Sequence, residues 1–211
     1  MTSMYPVTLN LTGKRCTVVG GGQVALRKVT SLTEQGANVT VISPELTDEL
    51  LAMQEQFVWK NCAYQDGMLQ GSFLVIAATD SRAVNHAVAE WCAENQVLVN
   101  VVDSREESSF TVNAMVQRGD LLLAVSTNGI SPAVSRRIRQ ELEQYYGPEY
   151  GVMLEILAQA RQEAMESVQD AGKRRQFLQS VADMELPELL KKDTKEEVQK
   201  RVKLCLSSYL D

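Results

Sequence analysis

The stretch Cys16-Thr17-Val18-Val19-Gly20-Gly21-Gly22-Gln23-Val24-Ala25 constrains the fold more than any other part of the 211-residue chain. An uncharged run rich in β-branched residues leads into three glycines and then into helix-forming sequence. Gly20, Gly22 and Ala25 satisfy the G-x-G-x-x-G/A spacing of a dinucleotide site. In that pattern small residues make the tight turn, let the backbone approach a pyrophosphate, and let helix and strand pack closely. The N-terminus of the following helix offers unpaired N–H groups and the positive end of its dipole to the phosphates. Gly20, Gly21, Gly22, Gln23 and Val24 are therefore candidate cofactor-binding residues, and NAD is the expected cofactor. A glycine turn in an ordinary loop could share these residues. The context separates the two readings, because a strand precedes the turn and a long helical pattern follows it, as in a first βαβ unit.

The rest of the first half repeats that unit. Residues 5–15 form a lead-in that turns at Gly13, and the helical pattern from Val24 to Gln35 ends at Gly36. Asn38-Val39-Thr40-Val41-Ile42 reads as a second strand, parallel to the first through a right-handed crossover. Its end is where an acidic residue usually holds the ribose hydroxyls. Here Ser43 stands there, followed by Pro44 and Glu45. No arginine is present to receive a 2′-phosphate, so the expectation is NAD rather than NADP, with a modest preference.

Glu45 to Gln56 reads as helix, Phe57-Val58-Trp59-Lys60 as a short third strand, and Phe73 to Thr79 as a central buried strand. Asp80-Ser81 opens a helix to about Asn95, and Val97 to Asp103 is the fifth strand. Beyond it the pattern changes. Phe110 to Val116 and Leu121 to Ser126 read as a hairpin joined by Gln117-Arg118-Gly119-Asp120. Asn128-Gly129 makes a turn, and Ser131-Pro132 starts a helix that ends near Tyr146-Gly147-Pro148. From Glu149 the sequence is helical and charge-rich, with breaks expected at Gly172 and Pro187.

Composition excludes several function classes. A net charge of −6 argues against a nucleic-acid binder, whose affinity rests on a basic surface. No apolar run approaches the ~20 residues that span a bilayer, and the N-terminus lacks a basic segment followed by an apolar core. The expectation is a cytoplasmic protein with no membrane partner. The four cysteines form no C-x-x-C pair and read as reduced packing thiols. His86 is the only histidine, so no metal site is expected and His86 itself reads as an ordinary helix residue.

Four pieces now carry a family resemblance: Val18 to Lys28, Ala77-Ala78-Thr79-Asp80, Asn100-Val101-Val102-Asp103, and Ala124 to Pro132. In this order and spacing they resemble the precorrin-2 dehydrogenases of sirohaem synthesis, over about residues 5–146. The resemblance implies oxidation of precorrin-2 to sirohydrochlorin with NAD as hydride acceptor, followed in some members by insertion of ferrous iron as a second substrate. It also implies a homodimer whose tetrapyrrole cleft lies between the nucleotide domain and the rest. The resulting fold class is α/β, a Rossmann-like doubly wound parallel sheet followed by a small α/β dimerisation region and a helical C-terminal region. The expected boundaries are 1–112 for the NAD-binding domain, 113–147 for the dimerisation region and 148–211 for the helical region. A hairpin and one helix lack the sequence for a core of their own, which also favours pairing with a second copy.

Site candidates follow. By its residues alone Asp103 reads as the cap of the turn into Ser104-Arg105; the resemblance reverses this and implies that it is the catalytic carboxylate, accepting a proton as the hydride leaves. Thr79 and Asp80 fall beside the nicotinamide half of the cofactor, though helix capping would use the same residues. A macrocycle rimmed with carboxylates needs local positive charge on an acidic protein. Arg136 and Arg139, neighbours at i, i+3, are the candidates, whereas Arg137 points elsewhere. Ser126, Thr127 and Asn128, just before that helix, are candidates for the same cleft. A module that senses NAD without turning anything over, and a dimer that has lost catalysis, are the competing readings.

Overall fold

Five short parallel strands organise the first half: β1 (Arg15–Val19), β2 (Asn38–Ile42), β3 (Val58–Lys60), β4 (Leu74–Ala77) and β5 (Leu98–Val101), in the order β3-β2-β1-β4-β5. These come from a computed structural model that describes residues 4–102 and 104–210. The chain divides into two units, one up to Val112 and one from Asn113. Strands β1, β2 and β4 are buried along nearly their whole length because helices cover both faces of a parallel sheet. That is why their sequences are continuous runs of β-branched and aliphatic residues rather than alternating ones. Val18, Val41 and Val75 are fully buried, each contributing about 1.5–3 kcal/mol through burial of its side chain. The one hydroxyl at the centre of β1, Thr17, is satisfied at 2.7 Å by Ser72.

Helix α1 (Gln23–Glu34) buries Ala25, Val29 and Leu32 against the sheet, one face of a 3.6-residue period. Helix α3 (Arg82–Glu94) does the same with Val88, Ala89 and Cys92 near the β4–β5 side. The helix expected over Glu45 to Gln56 is shorter: α2 spans Asp48–Ala52, followed by a 3-10 turn at Gln54–Gln56. The residues ahead of it are used elsewhere. Thr47 donates its backbone N–H to Gly21 and caps α2 with its side chain, and the Ser43 hydroxyl donates to the Glu45 carbonyl.

The outer edge of β5 is closed by the chain that follows it. Ser108 and Ser109 hydroxyls accept from the N–H groups of Val101 and Val99, and Ser109 N–H donates to Val99. This covers a strand edge that would otherwise be open to pairing. It also explains why the hairpin strand expected from Phe110 starts later: Phe110 packs against the core of the first unit, and its carbonyl receives the Asn100 amide.

In the second unit β6 (Ala114–Arg118) and β7 (Leu121–Val125) pair antiparallel around a Gly119-Asp120 turn. Helices α4 (Pro132–Tyr145), α5 (Glu149–Ser167), α6 (Ala171–Ala182), α7 (Leu186–Leu190) and α8 (Lys195–Ser207) follow. Phe177, Val181, Ile156, Ala164 and Val198 form the core of the helical region. The sequence predicts breaks at Gly172 and Pro187, but both residues lie inside the first turns of α6 and α7. Asp170 caps α6 through the Lys173 N–H, and proline is tolerated at the start of α7, where its missing N–H costs nothing.

Candidate nucleotide site

The strand order reverses between β1 and β4, and in an open parallel sheet a ligand crevice forms outside the carboxyl ends of the strands at that point. A cleft of about 460 Å³ lies there, lined by Val24 from α1, Ala78, Thr79 and Asp80 from the end of β4, Arg82 and Asn85 from α3, and Val101, Val102, Ser104 and Glu107 from the end of β5.

The three glycines differ in what holds them. Gly20 has φ +124°, and a Cβ there would lie 2.2 Å from the Ala78 carbonyl oxygen. At Gly21 a Cβ would lie 2.0 Å from the Glu45 carbonyl. Both positions are closed by backbone, so they admit only glycine. Gly22 faces open space, with nothing within 4 Å of a Cβ. It is the N-cap of α1, where no side chain caps the helix and no acidic residue stands in the first turn. By contrast α2 and α3 are capped by Thr47 and Ser81. An uncapped helix start behind an open glycine is the arrangement a pyrophosphate fits, since its oxygens would take the place of the missing cap.

Other candidates of this half have internal work. Ser43 is buried, its hydroxyl donating to Glu45 at 2.6 Å and its carbonyl accepting from Trp59 Nε1 at 2.9 Å, so it backs the glycine turn. The Gln23 amide donates to Glu49, whose carboxyl its own backbone N–H and then Gln23 hold below the ordinary value. Asp103 lies outside the described residues.

Four polar lining residues are not among the candidates read from sequence: Arg82, Asn85, Ser104 and Glu107. The His86 imidazole Nδ1 sits 2.6 Å from Glu107 and Nε2 3.4 Å from Glu90. The hydrogen bond to Glu107 raises the His86 pKa, while Ser104 and then His86 lower that of Glu107. This exposed pair ties the chain after β5 to α3. Its signal in the sequence is only a lone histidine and a glutamate 21 positions apart, a spacing no local period explains. Cys16 and Cys92 are buried thiols pushed up to about 11 by burial, so neither is a nucleophile.

The candidates in the second unit sit around the start of α4. Thr127 bonds Ser131 and, at 3.0 Å, the buried Ser135 hydroxyl; the Ser126 hydroxyl accepts from Asn128 N–H; Asn128 takes φ +51°. Arg139 is engaged by Glu143, and Arg137 pairs with Glu141. Arg136 is exposed and has no ion-pair partner among the described residues.

Comparison with known proteins resolves what kind of nucleotide fold this is. Residues 7–114 match a family described as putative NAD(P)-binding, 118–145 the central region of sirohaem biosynthesis proteins, and 149–205 the sirohaem synthase dimerisation region. The chain belongs to the sirohaem synthase family. Within that family it is 34% identical over 209 residues to the siroheme synthase of Thioalkalivibrio sulfidiphilus, covering 98% of this chain and 43% of the relative. The siroheme synthase of Photobacterium profundum is 36% identical over 199 residues, covering 92% and 42%. The chain thus spans less than half the length of these sirohaem synthase relatives. Among solved structures it is similar to SirC, a precorrin-2 dehydrogenase, with a TM-score of 0.81 and 26% identity, covering 98% of this chain and 100% of that one. No helix among the described residues is long and apolar enough to cross a membrane.

Proposed function

We propose that the protein oxidises precorrin-2 to sirohydrochlorin, with NAD as the hydride acceptor. The observation that supports this most is the likeness to SirC over the whole of both chains, joined to an open, uncapped α1 N-terminus beside a cleft at the sheet's switch point. NAD supplies the hydride acceptor when bound. Gly22 and the first N–H groups of α1 would hold its pyrophosphate, with Gly20 and Gly21 closing the turn beneath. The ribose side, where Ser43 backs the turn, offers the acidic Glu45 and Glu49 rather than an arginine, which supports NAD over NADP. Asp103, following Val102 of the cleft lining, is proposed to take the proton released as the substrate loses its hydride. Thr79 and Asp80 form the cleft wall on the nicotinamide side.

The substrate's carboxylates are proposed to meet Arg136 and Arg139 together with Ser126, Thr127 and Asn128. Arg136 has the free charge for this, while Arg139 would have to share its charge with Glu143. A homodimer is part of the same reading. The β6–β7 hairpin leaves Met115, Leu122 and Ala124 on one exposed face, and a two-stranded sheet with an uncovered apolar face is stable only when something packs on it. The match of residues 149–205 to a dimerisation region supports a second copy as that cover. A cytoplasmic location follows from the proposed role. The test is anaerobic incubation with precorrin-2, with and without NAD, following the tetrapyrrole spectrum. The expected result is an NAD-dependent conversion to sirohydrochlorin, and binding of NAD with no spectral change would leave a sensing module instead. Ferrous iron added afterwards reads metal insertion, in which iron is substrate.

A further inference from the structure

Asn85 is a buried polar residue in the first turn of α3, and the hydrogen bonds of its side chain go to one residue. Its Oδ1 accepts from the Thr79 N–H at 3.2 Å and from the Thr79 hydroxyl at 2.7 Å, and its Nδ2 donates to the Thr79 carbonyl at 2.9 Å. The Thr79 hydroxyl also accepts from Ser81 N–H at 3.2 Å. Capping does not explain this. The α3 cap is Ser81, which accepts from Val84 N–H. Every polar group of Thr79 is therefore consumed inside the protein, so its side chain has no proton left to offer a ligand.

What the clamp fixes is the path of the chain at the mouth of β4. Thr79 follows Ala78, whose carbonyl lies directly against Gly20, and precedes Asp80 in the cleft wall. In a doubly wound sheet the half of the crevice beyond the switch point, over β4 and β5, receives the second mononucleotide of a dinucleotide. We propose that Asn85 is a positioning residue for that half: through Thr79 it holds the wall against which the nicotinamide ribosyl group of NAD is seated. The inference rests on the NAD reading above and adds a residue to it.

Two probes separate this from a merely structural role, NAD and ADP, which lacks the whole nicotinamide ribosyl group. In Asn85→Leu, close in size but unable to hydrogen-bond, NAD affinity should fall about tenfold or more, because a wall displaced by an ångström costs binding and rate steeply. ADP affinity should change less than about twofold, since its contacts lie at the glycine turn and the first mononucleotide half. Amide exchange at Thr79 should become faster. Asn85→Asp keeps the acceptor for the Thr79 N–H and hydroxyl, so it should restore part of the NAD affinity. If Asn85→Leu does not fold, the NAD against ADP split is read on Asn85→Asp. Equal losses for both nucleotides, or no loss for either, would overturn the positioning role while leaving the NAD site in place. A parent protein that binds neither nucleotide would remove the NAD reading itself, and this inference with it.

Discussion

Gly21 and Gly22 are neighbours with opposite constraints, and substitution separates them. A side chain at Gly22 meets open space and its φ of −87° suits any residue, so Gly22→Asp leaves the fold intact. As an N-cap, Asp should even stabilise α1 by a few tenths of a kcal/mol to about 1 kcal/mol. The same carboxylate would occupy the proposed pyrophosphate position, so NAD binding should be lost while Tm holds or rises; retained NAD affinity in calorimetric titration would place the site elsewhere. Gly21→Ala should do the reverse to stability, lowering it by about 1–3 kcal/mol as the methyl group is driven into the Glu45 backbone. The His86–Glu107 pair gives a pH prediction. The His86 pKa is raised from 6.5, so its contribution is complete below that value and is lost as pH rises through the folded-state pKa. The Glu107 pKa is lowered from 4.5, so its contribution is complete above that value and is lost as pH falls through the folded-state pKa. The Tm difference between parent and His86→Gln should therefore be greatest between about pH 4.5 and 6.5 and fade in alkali; a difference that grows above pH 8 would contradict the pairing.

At the scale of elements, the hairpin and α5 meet through two glycines. Gly119, with φ +55°, makes the β6–β7 turn, and a Cβ at Gly151 of α5 would lie 3.1 Å from the Arg118 carbonyl and 3.2 Å from Gly119 N. Arg118 Nε also donates to the Tyr146 carbonyl at 3.0 Å, fixing the hairpin to the end of α4. Gly151→Val should push the hairpin off α5 and destabilise the second unit by about 1–3 kcal/mol. If the hairpin face is the dimer surface, sedimentation should show weaker association in this variant; unchanged stability and association would remove the contact from the account. These elements also show what a sequence can and cannot display. The β1-glycine-α1 unit was legible because buried parallel strands and a helix start each leave a local pattern. The short α2 and the late start of β6 were not. They depend on Thr47 bonding Gly21 and on Ser108 and Ser109 closing the β5 edge, tertiary contacts that no period records.

At the scale of the whole molecule, the doubly wound sheet and its ligand crevice were readable from strand runs and glycine spacing, whereas the roles of the lining residues were not. Asn85 and Glu107 look like ordinary helix and turn residues until the fold brings them to the cleft. Asp103, named by resemblance, is best tested through function. Asp103→Ala should lower turnover by ~10²–10⁴, the usual worth of a positioned base, with NAD affinity and Tm nearly unchanged. Near-parental turnover would return Asp103 to the role of a turn cap. The most direct test of the central claim is an anaerobic reaction of the purified protein with precorrin-2 and NAD in which both products are measured at once. The proposed function predicts sirohydrochlorin and NADH formed in equal amounts, with both lost together in Gly22→Asp. Sirohydrochlorin formed without NADH, or formed equally well by the Gly22→Asp protein, would contradict it.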